Sequence, residues 1–413
     1  MSFDIEKIGD VCTVGDGAHA SIKRTLNGIP YYTSKNFKIE GIDLSKVDYI
    51  SEEDFKKHFR SNSNAITKPI KDDILLSIIG SIGAPHLVKD EDDFGLSSSV
   101  SILRPNVSKI KPQYLYYWIK SDDFQNAVHQ IKSGVAQSFL SLSMIKQLPV
   151  IYPKSLETQN RIASILSTYD DLIENNLKRI KLLEETAQNI YKEWFVNFRF
   201  PNYEHTEFDA ESVLPVGWRK GKVADLCEVK SGYAFKSKDW QTEGNPVMKI
   251  KNITNNTVDI TDCDFVDDEV AQNAEKFELF EGDILIAMTG ATVGKVGLIP
   301  KIDKRIYINQ RVGLFRPFSE IENNVYLVFS FFMTDEAQKQ ILNFAGGAAQ
   351  PNISSSQISE VELNIGSDEI LRMFESKIQS IMVQIQTLYR QNQKLKEARD
   401  ILLPRLMNRT IEV

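Results

Sequence analysis

The organisation of the chain is decided by one segment, residues 162–194, with the sequence IASILSTYDDLIENNLKRIKLLEETAQNIYKEW. Steps of four and three residues along this segment meet an apolar side chain at every position except Asn176. A spacing that averages about 3.5 residues keeps one face of an α-helix turned toward a partner helix. The segment therefore predicts a long helix with a coiled-coil seam made of Ile162, Leu166, Tyr169, Ile173, Asn176, Ile180, Leu183, Ala187, Ile190 and Trp194.

A second seam with the same spacing lies near the C-terminus of the chain. It consists of Phe374, Ile378, Ile381, Ile385, Leu388, Asn392, Leu395, Arg399, Leu402 and Leu406. Because a whole globular region separates the two seams, an antiparallel pair is the simplest way for the helices to meet. About 40 residues at ~1.5 Å each would make an arm of roughly 60 Å.

Polar residues in the two seams allow two interpretations each. Asn176 and Asn392 either set the register of the helix pair or occupy partly solvated positions. Arg399 either extends its charged end away from the seam or pairs with an acid on the first helix.

The regions in front of the two helices also repeat each other. The matching segments are residues 8–12 with 223–227, 73–77 with 283–287, the glycine turns 80–83 with 290–294, and 114–115 with 326–327. Each region mixes short strand-like runs with a helical segment, 114–132 in the first and 325–343 in the second. The sequence therefore predicts a duplicated α+β protein, in which two pseudo-repeated globular domains are joined by two long antiparallel coiled-coil helices.

The predicted domain boundaries follow from this repeat. Residues 1–153 form the first globular domain and residues 154–200 the first helical arm. Residues 201–366 contain a polar linker and the second globular domain, and residues 367–413 form the second arm.

Size and composition indicate a multidomain protein with real cores. The chain has 413 residues, of which 42% are hydrophobic. It contains no run near the ~20 apolar residues that span a bilayer, and its N-terminus lacks a signal-peptide core, so we expect a cytoplasmic protein that binds no membrane. Three cysteines are too few for a disulfide framework, and the matching Cys12 and Cys227 are predicted to be buried thiols.

The net charge of −7 disfavours a protein that coats nucleic acid nonspecifically as a polycation. It leaves room for DNA binding through a local basic patch, with the acidic stretch at residues 90–93 facing elsewhere.

Motifs of catalytic sites are absent from the sequence. There is no G-x-G-x-x-G loop, no G-x-S-x-G elbow, no H-E-x-x-H pair, and no Asn-Pro-Pro-aromatic tetrapeptide of the kind that amino-methyltransferases use. Residues 290–295 resemble a phosphate-binding loop but have one residue too few between the glycines, and Val296 stands where Ser or Thr would hold magnesium. We interpret this segment as a turn and predict a non-catalytic chain without a metal or cofactor of its own.

Together these features resemble the specificity subunit of type I restriction-modification systems, over essentially the whole chain. The family has the same order of variable module, helix, variable module and helix. Residues 214–218 (LPVGW) match its L-P-x-G-W motif, and residues 134–137 and 347–350 match its G-x-x-Q element before each helix. Pro153, Glu157, Gln159 and Ile162 resemble its P-x-x-E-Q-x-x-I helix start, although Thr158 separates Glu157 from Gln159. The second helix lacks this glutamine, and the first module lacks the L-P-x-G-W motif.

The resemblance implies a division of labour between subunits. Each globular domain would be a target recognition domain that reads one half of a bipartite, asymmetric sequence in double-stranded DNA. The helices would set the spacer between the half-sites and dock two modification subunits, which bring S-adenosylmethionine and methylate adenine. Restriction subunits, which are translocases and nucleases that use ATP and Mg²⁺, would join the same complex.

Base reading requires Arg, Lys, Asn or Gln side chains on loops that enter a groove. In the first domain the candidates are Lys35, Asn36, Lys38, Lys57, Arg60, Asn62, Ser81, His86 and Gln137. In the second they are Lys249, Lys251, Asn252, Thr289, Lys295, Gln310, Arg311, Gln350 and Asn352. We favour residues 249–252 as a strand whose alternate lysines share one face. Gln137 and Gln350 could instead cap the turn before each arm.

Two other function classes remain open at this level. A coiled-coil scaffold whose modules bind proteins would suit the near-neutral and acidic module charges. A half-enzyme that methylates DNA unaided is disfavoured by the missing methyl-donor motifs. The salt dependence of binding separates DNA recognition from the scaffold, since phosphate contacts release counterions.

Overall fold

The computed structural model describes residues 2–39, 41–60, 66–90, 92–133, 139–254, 256–302, 304–319, 324–346, 351–408 and 410–413. The chain forms two compact units. Unit 1 comprises Met1–Ile173 and Lys394–Val413, and unit 2 comprises Glu174–Gln393. The boundary between them falls within the two long helices. The functional division into recognition domains and arms stays a prediction.

Unit 1 is built on a four-stranded antiparallel sheet of order β2-β10-β7-β8. Strand β3 lies between β6 and β9 in a second sheet, β4 pairs with β5, and β1 pairs with β11. The strands are β1 (Phe3–Lys7), β2 (Cys12–Asp16), β3 (Ile29–Tyr32), β4 (Phe37–Lys38), β5 (Gly41–Ile42), β6 (Asp48–Ile50), β7 (Ile74–Ser77), β8 (Pro85–Leu87), β9 (Gly95–Leu96), β10 (Val100–Pro105) and β11 (Pro149–Pro153). The helices are α1 (Ile8–Val11), α2 (Glu52–His58), α3 (Pro112–Lys120), α4 (Asp122–Ser133), α5 (Leu142–Gln147) and α6 (Leu156–Tyr191), which continues into unit 2.

Unit 2 repeats this plan, because β13-β22-β19-β20 has the same order as β2-β10-β7-β8. Strands β14-β18-β15-β21 form its second sheet, and β12 pairs with β23. The strands are β12 (Arg219–Lys222), β13 (Glu228–Ser231), β14 (Trp240–Gln241), β15 (Asn245–Met248), β16 (Ile253–Thr254), β17 (Thr257–Val258), β18 (Asp264–Val266), β19 (Ile284–Ala287), β20 (Val296–Leu298), β21 (Tyr307–Ile308), β22 (Val312–Arg316) and β23 (Glu362–Ile365). The helices are α7 (Asp268–Asn273), α8 (Val325–Phe332), α9 (Asp335–Phe344), α10 (Ser355–Ser359) and α11 (Asp368–Met407), which continues into unit 1. The predicted duplication and the α+β class are confirmed.

The helices predicted at 114–132 and 325–343 are each broken in two, which the apolar periodicity did not indicate. The break in unit 1 falls at Ser121, whose hydroxyl donates to the carbonyl of Trp118 at 2.6 Å. The break in unit 2 falls at Thr334, whose hydroxyl donates to the carbonyl of Phe331 at 2.7 Å. Side chains that bond to nearby backbone groups compete with helix continuation and favour a new N-cap.

The long helices α6 and α11 run antiparallel within each unit, as predicted. In unit 1, Asp170 pairs with Arg399 at 2.6 Å. In unit 2, the Asn176 amide donates to the amide oxygen of Asn392 at 2.9 Å. The predicted seam residues are buried, apart from the half-buried Tyr169, Leu183, Ile190, Leu395, Arg399 and Leu402. Of the two interpretations of Arg399, the ion pair with an acid on the first helix is therefore correct. The helix α11 continues past Pro404 to Met407.

The two matching cysteines are buried thiols in their respective cores, as predicted. Burial raises the pKa of Cys12 and of Cys227 to about 12. Within the described residues, no helix combines the length and apolar character needed to cross a bilayer.

Candidate nucleic-acid interface

A short loop at the end of a buried β-hairpin is the common feature of the two units. Hairpin loop 1 (residues 78–84) joins the antiparallel strands β7 and β8, and hairpin loop 2 (residues 288–295) joins β19 and β20. A phosphate-binding loop instead leads from a strand into a helix, so residues 290–295 form a turn, as interpreted. Glycines with positive φ stand near both ends of each loop: Gly80 (φ 72°), Gly83 (φ 91°), Gly290 (φ 80°) and Gly294 (φ 83°).

The opposite end of each hairpin is fixed by an ion pair. In unit 1, Arg104 holds the buried carboxylate of Asp73 through two bonds of 2.9 and 2.8 Å. In unit 2, Arg316 contacts Asp283 at 2.5 Å and donates to the carbonyl of Glu278 at 2.9 Å. Burial raises the pKa of Asp283 to about 6, against the opposing effects of the Phe280 N–H and Arg316.

The first residues of each hairpin loop pair with the segment that follows α4 or α9. In unit 1, Ile79 bridges to Phe139, and the Leu140 N–H donates to the Ile78 carbonyl at 3.0 Å. In unit 2, the backbones of Thr289 and Asn352 form an isolated antiparallel β-bridge. The structure therefore brings together two candidate residues, Thr289 and Asn352, that lie far apart in the sequence.

Each unit also contains an equivalent 3-10 turn, Ser34–Asn36 in unit 1 and Ile250–Asn252 in unit 2. Asn36 is buried and donates to the carbonyls of Asp43 and Lys46. Asn252 donates in the same way to those of Asp259 and Asp262. Both amides therefore shape their turn from inside, and the DNA contact predicted for these two asparagines stays a prediction.

The predicted strand at residues 249–252 is wrong, since this segment is a 3-10 turn with Lys249 at its N-cap. The two lysines nevertheless meet, because Lys249 and Lys251 each lie 3.3 Å from Asp264. Lys251 also contacts Asp262 at 3.3 Å, and the Lys249 ammonium lies 3.4 Å from the ring centre of Trp240. A cation over an aromatic face is attracted by the quadrupole of the ring.

The same turn carries different side chains in the two units, SKN at residues 34–36 in unit 1 and IKN at residues 250–252 in unit 2. Lys35, which corresponds to Lys251, is exposed and forms no ion pair within the described part of unit 1. The two units thus present similar backbones with different side chains. A shared scaffold with different polar groups can recognise two different targets.

The other candidates lie in these loops or on other elements of their units. Ser81 lies in hairpin loop 1 and Lys295 in hairpin loop 2. Gln310 and Arg311 form the turn before β22, where the Arg311 carbonyl accepts from the Met288 N–H at 3.0 Å. The remaining described candidates lie on strand β4 (Lys38), on strand β8 (His86), in the last turn of α2 (Lys57) and just after α2 (Arg60). Asn62, Gln137 and Gln350, with both G-x-x-Q elements, lie outside the described residues.

His86 is held by an acid, which limits its freedom to contact DNA. Its Nε2 lies 3.2 Å from Asp92. Burial raises the pKa of Asp92, but bonds with His86 and the Lys89 N–H outweigh it and lower the pKa overall.

Two glutamines at the hairpin loops were missed by the sequence reasoning. Gln125 donates to the Gly83 carbonyl at 3.0 Å, and Gln338 donates to the Gly294 carbonyl at 3.0 Å. A signal was present, because SDDFQ (residues 121–125) and TDEAQ (residues 334–338) stand at equivalent places of the repeat. Across the described residues, no cluster of His, Cys, Asp or Glu could hold a metal ion.

Comparison with known proteins gives one consistent family. A family model described as the type I restriction modification DNA specificity domain matches residues 2–185 and 215–403. The type I restriction enzyme MjaIX specificity subunit of Methanocaldococcus jannaschii is 28% identical over 98% of this chain and 92% of the relative. The HindI specificity subunit of Haemophilus influenzae is 24% identical over 82% of this chain and 86% of the relative.

One solved structure supports the fold. The S subunit of a type I restriction-modification system from M. genitalium superposes with a TM-score of 0.58 at 15% identity. The alignment covers 98% of this chain and 96% of that subunit.

Proposed function

Because the chain belongs to the type I restriction modification DNA specificity domain family and is a non-catalytic specificity subunit, we propose that each of its units reads one half of a bipartite DNA target. The observation that carries this proposal is the repeated hairpin loop, which is built alike in both units but surrounded by different side chains. Two such surfaces in one chain suit a target with two different halves.

The described candidates divide into two kinds of contact. Six candidates are exposed cations suited to phosphate contacts or to guanine edges: Lys35, Lys38, Lys57, Arg60, Lys295 and Arg311. Ser81, Thr289, Gln310 and Asn352 lie at or beside the hairpin loops and suit polar contacts with bases. Lys249 and Lys251 are oriented by Asp264, so they would approach DNA as one preorganised group.

Membership of the family supports a proposal for the partners and cofactors. We propose that α6 and α11 dock two modification subunits, which supply S-adenosylmethionine and transfer the methyl group to adenine. Restriction subunits with ATP and Mg²⁺ would complete a nuclease. The length of the paired helices would set the spacer between the half-sites, and the complex would act in the cytoplasm.

The test is to map methylation sites in a host without adenine methylation. This chain is expressed together with the modification subunit of its own organism, and modified adenines are located by sequencing. The expected result is one split motif with two short specified halves around a fixed gap. Methylation without a gap, or binding whose affinity does not fall with salt, would contradict the proposal.

A further inference from the structure

Two glutamines occupy equivalent positions, one in each unit, and connect three elements. Gln125 donates through Nε2 to the Gly83 carbonyl at 3.0 Å and to the Ile119 carbonyl at 2.7 Å. Gln338 donates to the Gly294 carbonyl at 3.0 Å and to the Phe332 carbonyl at 3.3 Å. Each amide therefore joins the end of one helix, the first turn of the next helix, and a hairpin loop.

The helix breaks give these glutamines their positions. Ser121 and Thr334 each begin a new helix, and the glutamine four residues later lies on the first turn of that helix. Its own N–H donates to the carbonyl of the capping residue, at 3.0 Å for Gln125 and 3.2 Å for Gln338. The side chain then points back past the helix start toward the hairpin loop, as helical side chains lean toward the N-terminus.

On the loop side of this contact, each glutamine meets a glycine whose conformation and close approach other residues rarely reproduce. Gly83 and Gly294 adopt φ values of 91° and 83°, which other residues rarely adopt. A Cβ at Gly83 would lie 2.7 Å from Oε1 of Gln125, and one at Gly294 would lie 2.8 Å from Oε1 of Gln338. The backbone of each loop therefore approaches the amide as closely as a glycine permits.

Each hairpin loop is thus held at both ends. Its first residues pair with the segment after α4 or α9, and its last residues are held by the glutamine. The residues between these two attachments include Ser81, which is half-buried in loop 1, and Ala291, which is exposed in loop 2. Preorganised contacts discriminate better than mobile ones, because fewer conformations fit a wrong target.

We propose that Gln125 and Gln338 are positioning residues that fix the two hairpin loops for DNA reading, each for one half-site only. This inference rests on the proposed function, since it assigns the hairpin loops to base discrimination. It predicts that a defect in one glutamine relaxes specificity in one half of the target and leaves the other half intact.

The test uses the complete methylating complex with Gln125→Met or Gln338→Met. Methionine keeps the length and helix propensity of glutamine but has no amide to donate. The matched control is Gln340→Met on α9, because Gln340 exchanges two bonds of 2.9 Å with the backbone of Glu362 on β23 and none with the hairpin loop.

The readout is the ratio of affinities for the correct duplex and for duplexes altered in one half. For the wild type, both ratios are high. Gln125→Met should lower one ratio about fivefold or more, the discrimination of a single base pair, and Gln338→Met should lower the other. Gln340→Met should change neither.

Two results would overturn the inference. In the first, both glutamine variants keep both affinity ratios of the wild type. In the second, each variant lowers the two affinity ratios equally, as a general effect on folding would do. If a methionine variant fails to fold, Gly83→Ala and Gly294→Ala displace the same amides from the loop side and must give the same half-specific pattern. Absence of any split target for the wild type would instead contradict the proposed function.

Discussion

Replacing Asn176 by alanine should lower the free energy of unfolding of unit 2 by about 2 kcal/mol. Asn176 and Asn392 are 6% and 4% exposed, and the amide of one donates to the oxygen of the other at 2.9 Å. A net hydrogen bond is worth about 1 kcal/mol, and the buried oxygen of Asn392 that loses this donor adds about 1 kcal/mol. Asn392→Ala should have the same effect for the same reason.

The double variant distinguishes a coupled pair from two independent positions. With both amides removed, neither asparagine leaves the amide of the other unpaired, so the double variant should lose only the hydrogen bond itself, about 1 kcal/mol. Independent positions would lose about 4 kcal/mol, the sum of the two single effects. The expected coupling energy is therefore about 3 kcal/mol.

Urea unfolding followed by tryptophan fluorescence measures these differences. Trp194, Trp218 and Trp240 lie in unit 2, so the signal is dominated by the unit that contains the pair. With a urea slope of about 2 kcal/mol per molar, each single variant should shift the midpoint by about 1 M. Asn189→Ala, at an exposed position of α6, is the control and should change stability by less than about 0.5 kcal/mol. Additive losses in the double variant would refute the reasoning.

Three further predictions concern charge. Arg399→Ala removes the ion-pair partner of Asp170, whose other oxygen accepts a hydrogen bond from Tyr117 at 2.8 Å. The variant should destabilise unit 1 by about 1–3 kcal/mol, which is less than the loss for a fully buried pair. An unchanged melting temperature would contradict this. Burial raises the pKa of Glu375 from 4.5 to about 8, so the stability that this carboxyl contributes is full below pH ~4.5 and is lost as the pH rises through 8. Glu375→Gln should therefore flatten the decline in melting temperature between pH 5 and 9. If the variant declines as steeply as the wild type, this carboxyl is not the cause of the decline. Lys295→Ala and Arg311→Ala should each reduce the steepness of the fall of log affinity with log salt by about 1. Lys178→Ala on α6 is the control and should leave the steepness unchanged. If all three variants keep the steepness of the wild type, neither Lys295 nor Arg311 contacts DNA phosphates.

The helix pair and the duplication were predictable because both are patterns within the chain itself. A 3.5-residue spacing acts along a single helix, so the seam needs no knowledge of the rest of the fold. The match of residues 73–77 with 283–287 correctly located a buried strand in each unit, because strand burial follows from a short apolar run. The breaks at Ser121 and Thr334 escaped this reasoning, since the helical apolar pattern continues across both.

The candidate interface was predictable only in part, as the two asparagines show. Asn36 and Asn252 are of a residue type that often reads bases, yet each side-chain amide donates to backbone carbonyls up to ten residues away. Lys249 and Lys251 were correctly grouped, although a 3-10 turn and the distant Asp264 bring them together where a strand was expected.

The sequence by itself determined the repeat and the two paired helices, because periodicity and duplication are local or internal properties. The globular region between the helices then made an antiparallel pair the simplest arrangement. Only the tertiary structure decided which polar side chains support the loops and which remain available to a ligand. The Gln125–Gly83 contact, the Thr289–Asn352 bridge and the Lys251–Asp264 pair all join residues that are distant in sequence. Hydrogen bonds and ion pairs of this kind depend on the position of a partner atom to within a fraction of an ångström, and the folded chain alone fixes that position.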